Sequence, residues 1–247
     1  MTASQATRAM PAPATAFAAV YRFFLRGQLT RLRALGLFTL GALSIVLTAV
    51  TRTSDDVVDA ATNLLAEYGL GVVAPVCTLW VASSLMGDLI EDRLLAYLWL
   101  KPVASWVLPA AAIAATLTIM LPLVVAPLTI AAVVSGVDDL IVPTLVASTL
   151  AVAAYSGLFV TLSSRFSRAL WWGLLYILVW ENAIARIADG TARLAVRSYV
   201  VSILSRATDV DISLADRSAA SSVIVPLAIA ATGIAVSSWI LRRRDID

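Results

Sequence analysis

The chain has 247 residues, of which 60% are hydrophobic and only 14% are charged. An ordinary soluble domain is roughly 45–50% apolar and about 25% charged, so this composition excludes a water-soluble fold. In a bilayer, the same length provides about six membrane-spanning helices of roughly 20 residues each. The net charge of +2 is too small to indicate a nucleic-acid-binding protein.

The residue types needed for common catalytic and metal sites are scarce. The chain contains no histidine, which removes the commonest general base and the commonest metal ligand. Its one cysteine, Cys77, cannot form a disulfide within the chain, and it lies in an apolar run typical of a small core residue. We therefore predict no catalytic residue and no metal site, and a protein that is not an enzyme.

The N-terminal region divides into two parts. Residues 1–15 are rich in Ala, Pro, Thr and Ser and have no apolar core, which predicts a disordered cytoplasmic tail rather than a signal peptide. Segment 16–33 places apolar residues on one side of a helix and Arg22, Arg26 and Arg33 on another. A basic amphipathic helix of this kind lies in the headgroup layer. The alternative is the cytoplasmic start of a long first span.

Six apolar segments follow, each close to the length that the roughly 30 Å hydrocarbon layer requires at about 1.5 Å per residue. They predict an all-α protein with a single transmembrane domain over 16–247. The predicted spans are 34–51, 68–87, 107–135, 140–164, 169–187 and 218–241. Pro109, Pro122 and Pro127 predict either a kinked third span or a short interfacial piece before it.

Basic residues indicate the orientation, because translocated loops avoid Lys and Arg. If the N-terminus is inside, twelve of the eighteen basic residues are cytoplasmic. They are Arg8, Arg22, Arg26, Arg31, Arg33, Arg93, Lys101, Arg165, Arg168, Arg242, Arg243 and Arg244. Most carboxylates, including Glu67, then fall in loops on the outer side. We predict a multi-pass protein of the bacterial plasma membrane with both termini in the cytoplasm.

The segment between the second and third spans, GDLIEDRLLAYLWLKPVASW over 87–106, combines an amphipathic pattern with a charge gradient. Its carboxylates come early and its lysine comes late, which matches the helix dipole, and Pro102 ends or bends the helix. The charges that a cytoplasmic partner could contact are Asp88, Glu91, Asp92, Arg93 and Lys101. The alternative is a loop whose charges merely meet water.

The order of residues in this segment resembles one protein family. An acidic-Asp-Arg cluster, an apolar turn with Tyr97 and then Lys101-Pro102-Val103 are similar to the segment after the second span of ABC-2 type permeases, the membrane subunits of many bacterial ABC exporters. That family also has a basic amphipathic N-terminal helix, six spans, cytoplasmic termini and an enlarged extracellular loop between spans five and six, here Arg186 to Arg217. The resemblance covers nearly the whole chain in architecture, but only residues 87–106 in motif.

The resemblance implies a division of labour between subunits. Segment 87–106 would contain the coupling helix that docks into a separate ATP-binding subunit, with Glu91, Asp92 and Arg93 as the foremost contacts. Two such subunits would hold ATP and Mg²⁺, this chain would carry no cofactor, and a second permease chain, identical or different, would complete the complex. Independently, the sequence contains no G-x-x-x-x-G-K-[ST] loop and a single lysine, so this chain cannot hold ATP in the P-loop manner.

Glu181, followed by Asn182, interrupts the predicted fifth span. An acid about 18 Å along a span is costly in hydrocarbon and marks a candidate functional site. In a structural interpretation, both side chains face other helices and are satisfied by Arg186, Arg193 or a partner chain. In a functional interpretation, they contact the cargo in the pathway or at an outer gate.

The loop from Arg186 to Arg217 alternates charged with apolar residues, which predicts one or two amphipathic helices. By resemblance to the family, these helices dip into the outer leaflet or cover the exit of the path. The alternative is a surface cap.

Our leading functional hypothesis is therefore a permease that works as a dimer in the lipid bilayer and is driven by ATP-binding subunits. The alternatives are a secondary transporter, in which Glu181 would carry a proton, and a membrane scaffold without transport.

Overall fold

The computed structural model describes residues 13–28, 31–91, 104–166, 168–181, 183, 192–212 and 217–243. Every regular element in these ranges is a helix, so the all-α prediction is confirmed for them. The helices are α1 (Pro13–Gln28), α2 (Arg31–Thr51), α3 (Val57–Leu64), α4 (Ala74–Glu91), α5 (Val107–Met120), α6 (Ala126–Ser135), α7 (Ile141–Arg165), α8 (Ala169–Leu175), α9 (Val196–Thr208) and α10 (Ala219–Arg243).

Three stretches of π-helix occur in the described ranges. Leu65–Val73 joins α3 to α4, Leu121–Val125 joins α5 to α6, and Tyr176–Glu181 extends α8. A short 3-10 turn, Asp138–Leu140, precedes α7. Because π-helix is rare and is frequent at functional sites, these stretches direct attention to the side chains that they carry.

Within the described ranges, five helical segments are long and apolar enough to cross a membrane. They are Ala34–Thr51, Val57–Gly87, Val107–Ser135, Asp138–Arg165 and Ala219–Arg243. The described helix in the predicted fifth span, Ala169–Glu181, is shorter, with seven α-helical and six π-helical residues. Such a helix rises about 20 Å, which is less than the roughly 30 Å hydrocarbon layer.

The second of these segments begins earlier than the apolar run that predicted it. The run starts at Tyr68, whereas the helix starts at Val57. Asp56 caps this start by accepting a hydrogen bond from the Asp59 backbone N–H at 3.0 Å. Glu67 therefore lies within the helix, and the prediction that it falls in an outer loop is wrong.

Helix α1 packs one of its sides against α5. Ala16, Val20 and Phe24 are buried on this side. The Tyr21 hydroxyl lies 2.8 Å from the Thr118 hydroxyl of α5. This contact ties the N-terminal helix to the third span, in addition to the apolar burial.

The bounds of α1 differ from the predicted interfacial helix, 16–33. Arg22 and Arg26 are exposed on α1, and Arg33 belongs to α2. Of the predicted disordered tail, residues 1–12 lie outside the described residues.

The direction of α2 follows from its contacts with the third span. A Cβ at Gly41 would lie 2.8 Å from the Leu123 carbonyl oxygen and 3.0 Å from Pro127. Near the other end of the pair, the Arg52 Nε donates to the Ser135 carbonyl at 3.5 Å. The later residue of α2 contacts the later residue of the third span, so α2 runs parallel to α5 and α6.

Helices α7 and α10 also run parallel and pack closely against each other. A Cβ at Gly233 would lie 2.6 Å from the Gly157 Cα. One turn further along both helices, the Ser237 hydroxyl donates to the Thr161 hydroxyl at 3.1 Å. Because α7 and α10 start at the same end of the bundle, the chain between them must return from the opposite end.

The two ends of the bundle expose side chains of opposite charge. We call the end at which α7 and α10 begin the acidic end, because it exposes Asp55, Asp56, Asp138 and Asp139. We call the opposite end the basic end, because it exposes Arg165, Arg168, Arg242 and Arg243.

The return from the basic to the acidic end is shared by α8 and α9. Helix α8 begins at the basic end and its π-helical extension stops at Glu181. Helix α9 begins beside Tyr176 and Glu181 and ends where the Thr208 hydroxyl lies 3.4 Å from the Thr62 hydroxyl. Seven of its thirteen residues are buried. Helix α9 therefore lies inside the bundle.

Candidate functional site

Glu181 is the centre of a buried group of polar side chains. Its side chain has no exposed surface. The Tyr155 hydroxyl of α7 donates to the Glu181 Oε2, and the Tyr176 hydroxyl donates to the Oε1 at 3.1 Å. Each carboxylate oxygen thus has a phenolic donor, as a carboxylate removed from water requires.

The start of α9 supplies further donors to this group. The backbone N–H of Arg197 donates to the Glu181 carboxylate, and that of Val196 to the Tyr176 hydroxyl. The first N–H groups of a helix have no partner within it and form the positive end of its dipole. Ala195, which precedes α9, has no side-chain oxygen that could cap it. Glu181 therefore caps α9 from another helix.

The side chain of Arg197 forms the second half of the group. Its Nη2 lies 2.5 Å from the Glu67 Oε1, and 1% of the Arg197 side chain is exposed against 41% of the Glu67 side chain. Gly71 makes room for the guanidinium, because a Cβ there would lie 2.8 Å from the Arg197 Cζ. A guanidinium remains charged at any accessible pH, so its burial depends on such a carboxylate.

Aromatic rings enclose the hydroxyl groups. The Tyr155 ring stacks on Phe159 with centroids 5.7 Å apart, and Phe159 meets the Tyr176 ring edge to face at 6.4 Å. These contacts hold both phenols in place and keep water away from the Glu181 carboxylate. In such a low-dielectric setting, each satisfied hydrogen bond is strong and each missing one is costly.

We call this group the polar cluster, and it joins four segments of the chain. Its members are Glu67, Tyr155, Tyr176, Glu181 and Arg197. Glu67 and Tyr176 with Glu181 lie in two of the π-helical stretches described above. The cluster holds carboxylates, phenols and a guanidinium. Across the described ranges, no group of three or more metal-binding side chains lies together.

The predicted partners of Glu181 differ from those that the structure gives it. The sequence pointed to Arg186, Arg193 or a partner chain, whereas the described partners are two tyrosines and the start of α9. Asn182 and Arg186 lie outside the described residues.

The predicted coupling residues lie at the end of the second span or beyond it. The backbones of Asp88 and Glu91 belong to the last turns of α4. Asp92, Arg93 and Lys101 lie outside the described residues. Where the description resumes, the Arg242 Nε of α10 donates to the Ser105 hydroxyl at 2.6 Å. Ser105, which precedes α5, therefore lies beside the end of α10.

Sequence reasoning identified Glu181 and missed the rest of the polar cluster. Glu67 was assigned to a loop, and Arg197 to the polar side of an amphipathic loop helix. Tyr155 carries the one local signal that could have found it, because it is the only aromatic residue in the small-residue run AVAAYSG at 151–157. A phenol in a run of small residues within a span indicates a hydroxyl that faces a polar partner.

The sequence matches no protein-family model, and it matches no curated protein.

Proposed function

We propose that this chain is the permease subunit of an ABC-2 type exporter, driven by separate ATP-binding subunits. The observation that carries the proposal is segment 87–106, in which an acidic-Asp-Arg cluster and Lys101-Pro102-Val103 connect α4 to α5. The lack of a phosphate-binding loop in the sequence supports the same division of labour, because an exporter driven by ATP would then bind it in another chain.

The charge distribution supports an orientation for this permease. The basic end exposes arginines and the acidic end exposes aspartates, and cytoplasmic loops of membrane proteins are enriched in Lys and Arg. We therefore assign the basic end to the cytoplasm of a bacterial cell. In this orientation α10 ends in the cytoplasm, and segment 87–106 faces the compartment that contains ATP.

The coupling step follows from where segment 87–106 is attached. In the proposal, Glu91, Asp92 and Arg93 dock on the ATP-binding subunit, and closure of that subunit moves the segment. The movement reaches α4 and α5 directly, since the segment connects them. It reaches α10 through the hydrogen bond from Arg242 to Ser105.

The exposure of Glu67 supports a pathway between two permease chains. Its side chain is 41% exposed although it pairs with the buried Arg197 in the interior of the second span. Charged groups within membrane spans face a bundle interior or a water-filled cavity. In the proposal, this face of the bundle meets a second permease chain, identical or different, and the cargo path lies between them.

Glu181 and the polar cluster have a structural role in this proposal. They fix the start of α9 inside the bundle, which divides the fifth crossing into two parts. Discontinuous helices at membrane depth are frequent in transporters, where they surround the transported group.

One observation favours a second candidate, a proton-coupled secondary transporter. Glu181 is a buried acid in the middle of the bundle with two phenolic partners, and such acids serve as proton relays in transporters. This candidate requires a pH gradient and no ATP-binding subunit.

Affinity purification of the tagged chain in mild detergent, with identification of the proteins that accompany it, tests the proposal. We expect an ATP-binding subunit to copurify with the wild type and to be lost from the Glu91→Ala plus Arg93→Ala variant. The matched control is Asp55→Ala plus Arg193→Ala, which also removes one acid and one arginine and which should retain the subunit.

Two outcomes would contradict the proposal. If an intact oligomer purifies without any ATP-binding subunit, the exporter assignment fails and the secondary transporter or scaffold takes its place. If the subunit remains bound equally to the double variant and the control, the coupling role of Glu91 and Arg93 fails.

A further inference from the structure

A groove of about 370 Å³ lies between α7 and α10, and Tyr176 of the polar cluster forms part of its wall. Its volume falls within the range of about 300–1,000 Å³ of small-molecule sites. Its walls are mainly apolar and include Leu158, Leu162, Val236 and Ile240, and Gly157 lies at the helix crossing. The groove is partly open to the outside of the bundle, where a membrane protein meets lipid.

The hydroxyl groups on the walls of the groove already have hydrogen-bond partners within the protein. The Thr161 hydroxyl donates to the Gly157 carbonyl at 2.8 Å, and the Thr232 hydroxyl donates to the Ile229 carbonyl at 3.0 Å. The Tyr176 hydroxyl is engaged with Glu181. With these groups satisfied within the protein, the groove favours hydrocarbon.

One end of the groove carries a positive charge. Arg165, the last residue of α7, is exposed there and lines the groove. Its described contact is with the face of the Phe166 ring, 5.6 Å from the guanidinium carbon to the ring centroid. No carboxylate pairs with Arg165 among the residues that the structure describes.

Aromatic residues place this end at the level of the lipid headgroups. Phe166 packs against Trp172 with centroids 5.4 Å apart, and the Arg243 guanidinium lies 4.1 Å from the centroid of the Trp239 ring. Tryptophans together with arginines are typical of the boundary between hydrocarbon and water. The groove therefore runs from a cation at headgroup depth into the hydrocarbon layer.

We propose that the groove between α7 and α10 binds one acyl chain of an anionic phospholipid, whose phosphate pairs with Arg165. The occupant follows from charge complementarity, because a hydrocarbon slot that ends at a cation fits an acyl chain attached to an anionic headgroup. Arg pairs with phosphate through two parallel hydrogen bonds, and the attraction is greatest when the lipid headgroup carries no cation of its own. The lipid would stabilise the pairing of α7 with α10.

Native mass spectrometry of the delipidated full chain, incubated with phosphatidylglycerol or phosphatidylcholine, tests this site. For the wild type, we expect phosphatidylglycerol to be retained about tenfold more tightly than phosphatidylcholine, as a charge-assisted contact provides. In Arg165→Gln this preference should disappear. In Val236→Trp, which fills the groove, retention of both lipids should fall.

Two variants serve as matched controls. Arg22→Gln removes the same charge from an exposed position on α1, and Ile224→Trp adds the same ring to an exposed position of α10 outside the groove. Both should bind phosphatidylglycerol like the wild type. If Val236→Trp does not yield folded protein, the comparison of Arg165→Gln with Arg22→Gln decides alone.

The proposal is wrong if Arg165→Gln and Arg22→Gln lower the preference for phosphatidylglycerol equally, since that result indicates general attraction to an anionic surface. It is also wrong if folded Val236→Trp retains both lipids. A third contrary result is a dimer without bound lipid that dissociates in Val236→Trp, because a second copy would then cover the groove. None of these results depends on an ATP-binding subunit, so the proposed function is tested separately.

Discussion

Helix α7 takes part in two contacts of opposite character. Through Gly157 it meets Gly233 of α10 so closely that the backbones touch, and no charge is involved. Through Tyr155 it reaches the polar cluster, where buried charges and hydroxyls hold α8 and α9. The hydrophobic effect does not draw helices together inside a bilayer. The comparison shows that α7 associates with its neighbours in two other ways, by close backbone packing and by internal hydrogen bonding.

The largest effect is expected where the backbones touch. In Gly157→Leu, the Cβ would lie 2.7 Å from the Ala230 Cα and 2.9 Å from the Ile229 carbonyl oxygen. Backbone atoms cannot swing aside, so α10 must separate from α7. We expect a loss of about 3 kcal/mol or more in the free energy of unfolding, seen as aggregated protein on size-exclusion chromatography.

Gly27→Ala is the control for this change, because a Cβ at Gly27 meets nothing within 4 Å. It should yield monodisperse protein. A Gly157→Leu variant that is as stable as the control would show that α7 and α10 do not cross as described.

The next largest effect is expected at the ion pair of the polar cluster. Glu67→Gln removes the carboxylate from the 1% exposed Arg197. Removing one partner of a fully buried ion pair costs about 3–5 kcal/mol, and the 41% exposure of the Glu67 side chain puts this loss at the lower end of that range. We expect a strongly lowered melting temperature in detergent, measured by the fluorescence of the seven tryptophans.

A double variant tests whether Glu67 and Arg197 stabilise the protein as a pair. Glu67→Gln plus Arg197→Met removes both members of the pair and should recover part of the loss, since the buried guanidinium is removed together with Glu67. If the double variant is less stable than Glu67→Gln by the full cost of the second change, the two side chains do not act as a pair.

A smaller effect is expected for one hydroxyl of the cluster. Tyr155→Phe leaves the Glu181 Oε2 without its phenolic donor, and an unsatisfied buried acceptor costs about 1–3 kcal/mol. The matched control is Tyr68→Phe, whose hydroxyl only reaches the Leu40 carbonyl at 3.4 Å. The melting temperature of Tyr155→Phe should be well below that of Tyr68→Phe. Equal melting temperatures would show that Tyr155 does not take part in the polar cluster.

The smallest effect is expected at the hydroxyl between α7 and α10. Thr161→Val removes the acceptor of the Ser237 hydroxyl but keeps the backbones in contact. Interhelical hydrogen bonds of this kind average about 0.6 kcal/mol. Thr149→Val is the control on the same helix, because its hydroxyl bonds only to the Leu145 carbonyl within α7. A shift in melting temperature as large as that of Tyr155→Phe would contradict the comparison.

The sequence predicted the apolar part of the fold well and the polar part poorly. Long apolar runs locate spans because any residue within them must avoid water, which is a local property. The second span was predicted from Tyr68 onward, since Glu67 and the acidic residues before it resemble a loop. The helix nevertheless continues back to Val57, where Asp56 caps it, and within it Glu67 pairs with Arg197 from a distant segment.

The polar cluster escaped prediction for the same reason. A local pattern shows that Glu181 is out of place, but not which residues satisfy it. Arg197 looks like the polar side of a surface helix until Gly71 is known to leave room for it. Such pairings depend on how α9 packs, and packing is decided by several segments at once.

The placement of α9 inside the bundle is the central claim, and distances between spin labels test it most directly. In a Cys77→Ala background, one label would be attached to Trp171→Cys, which is 71% exposed near the start of α8. The second label would be attached to Leu194→Cys, exposed just before α9, or to Asp211→Cys, exposed just after it. Double electron–electron resonance then measures both distances.

Helix α9 rises about 20 Å from its first residue to its last. If it starts beside Glu181 and runs to the acidic end, the distance from Trp171→Cys to Leu194→Cys is shorter than that to Asp211→Cys by more than about 10 Å. If α9 is a cap on the surface of the acidic end, the two distances agree to within a few ångströms. That second result would contradict the divided fifth crossing and the role of Glu181 in it.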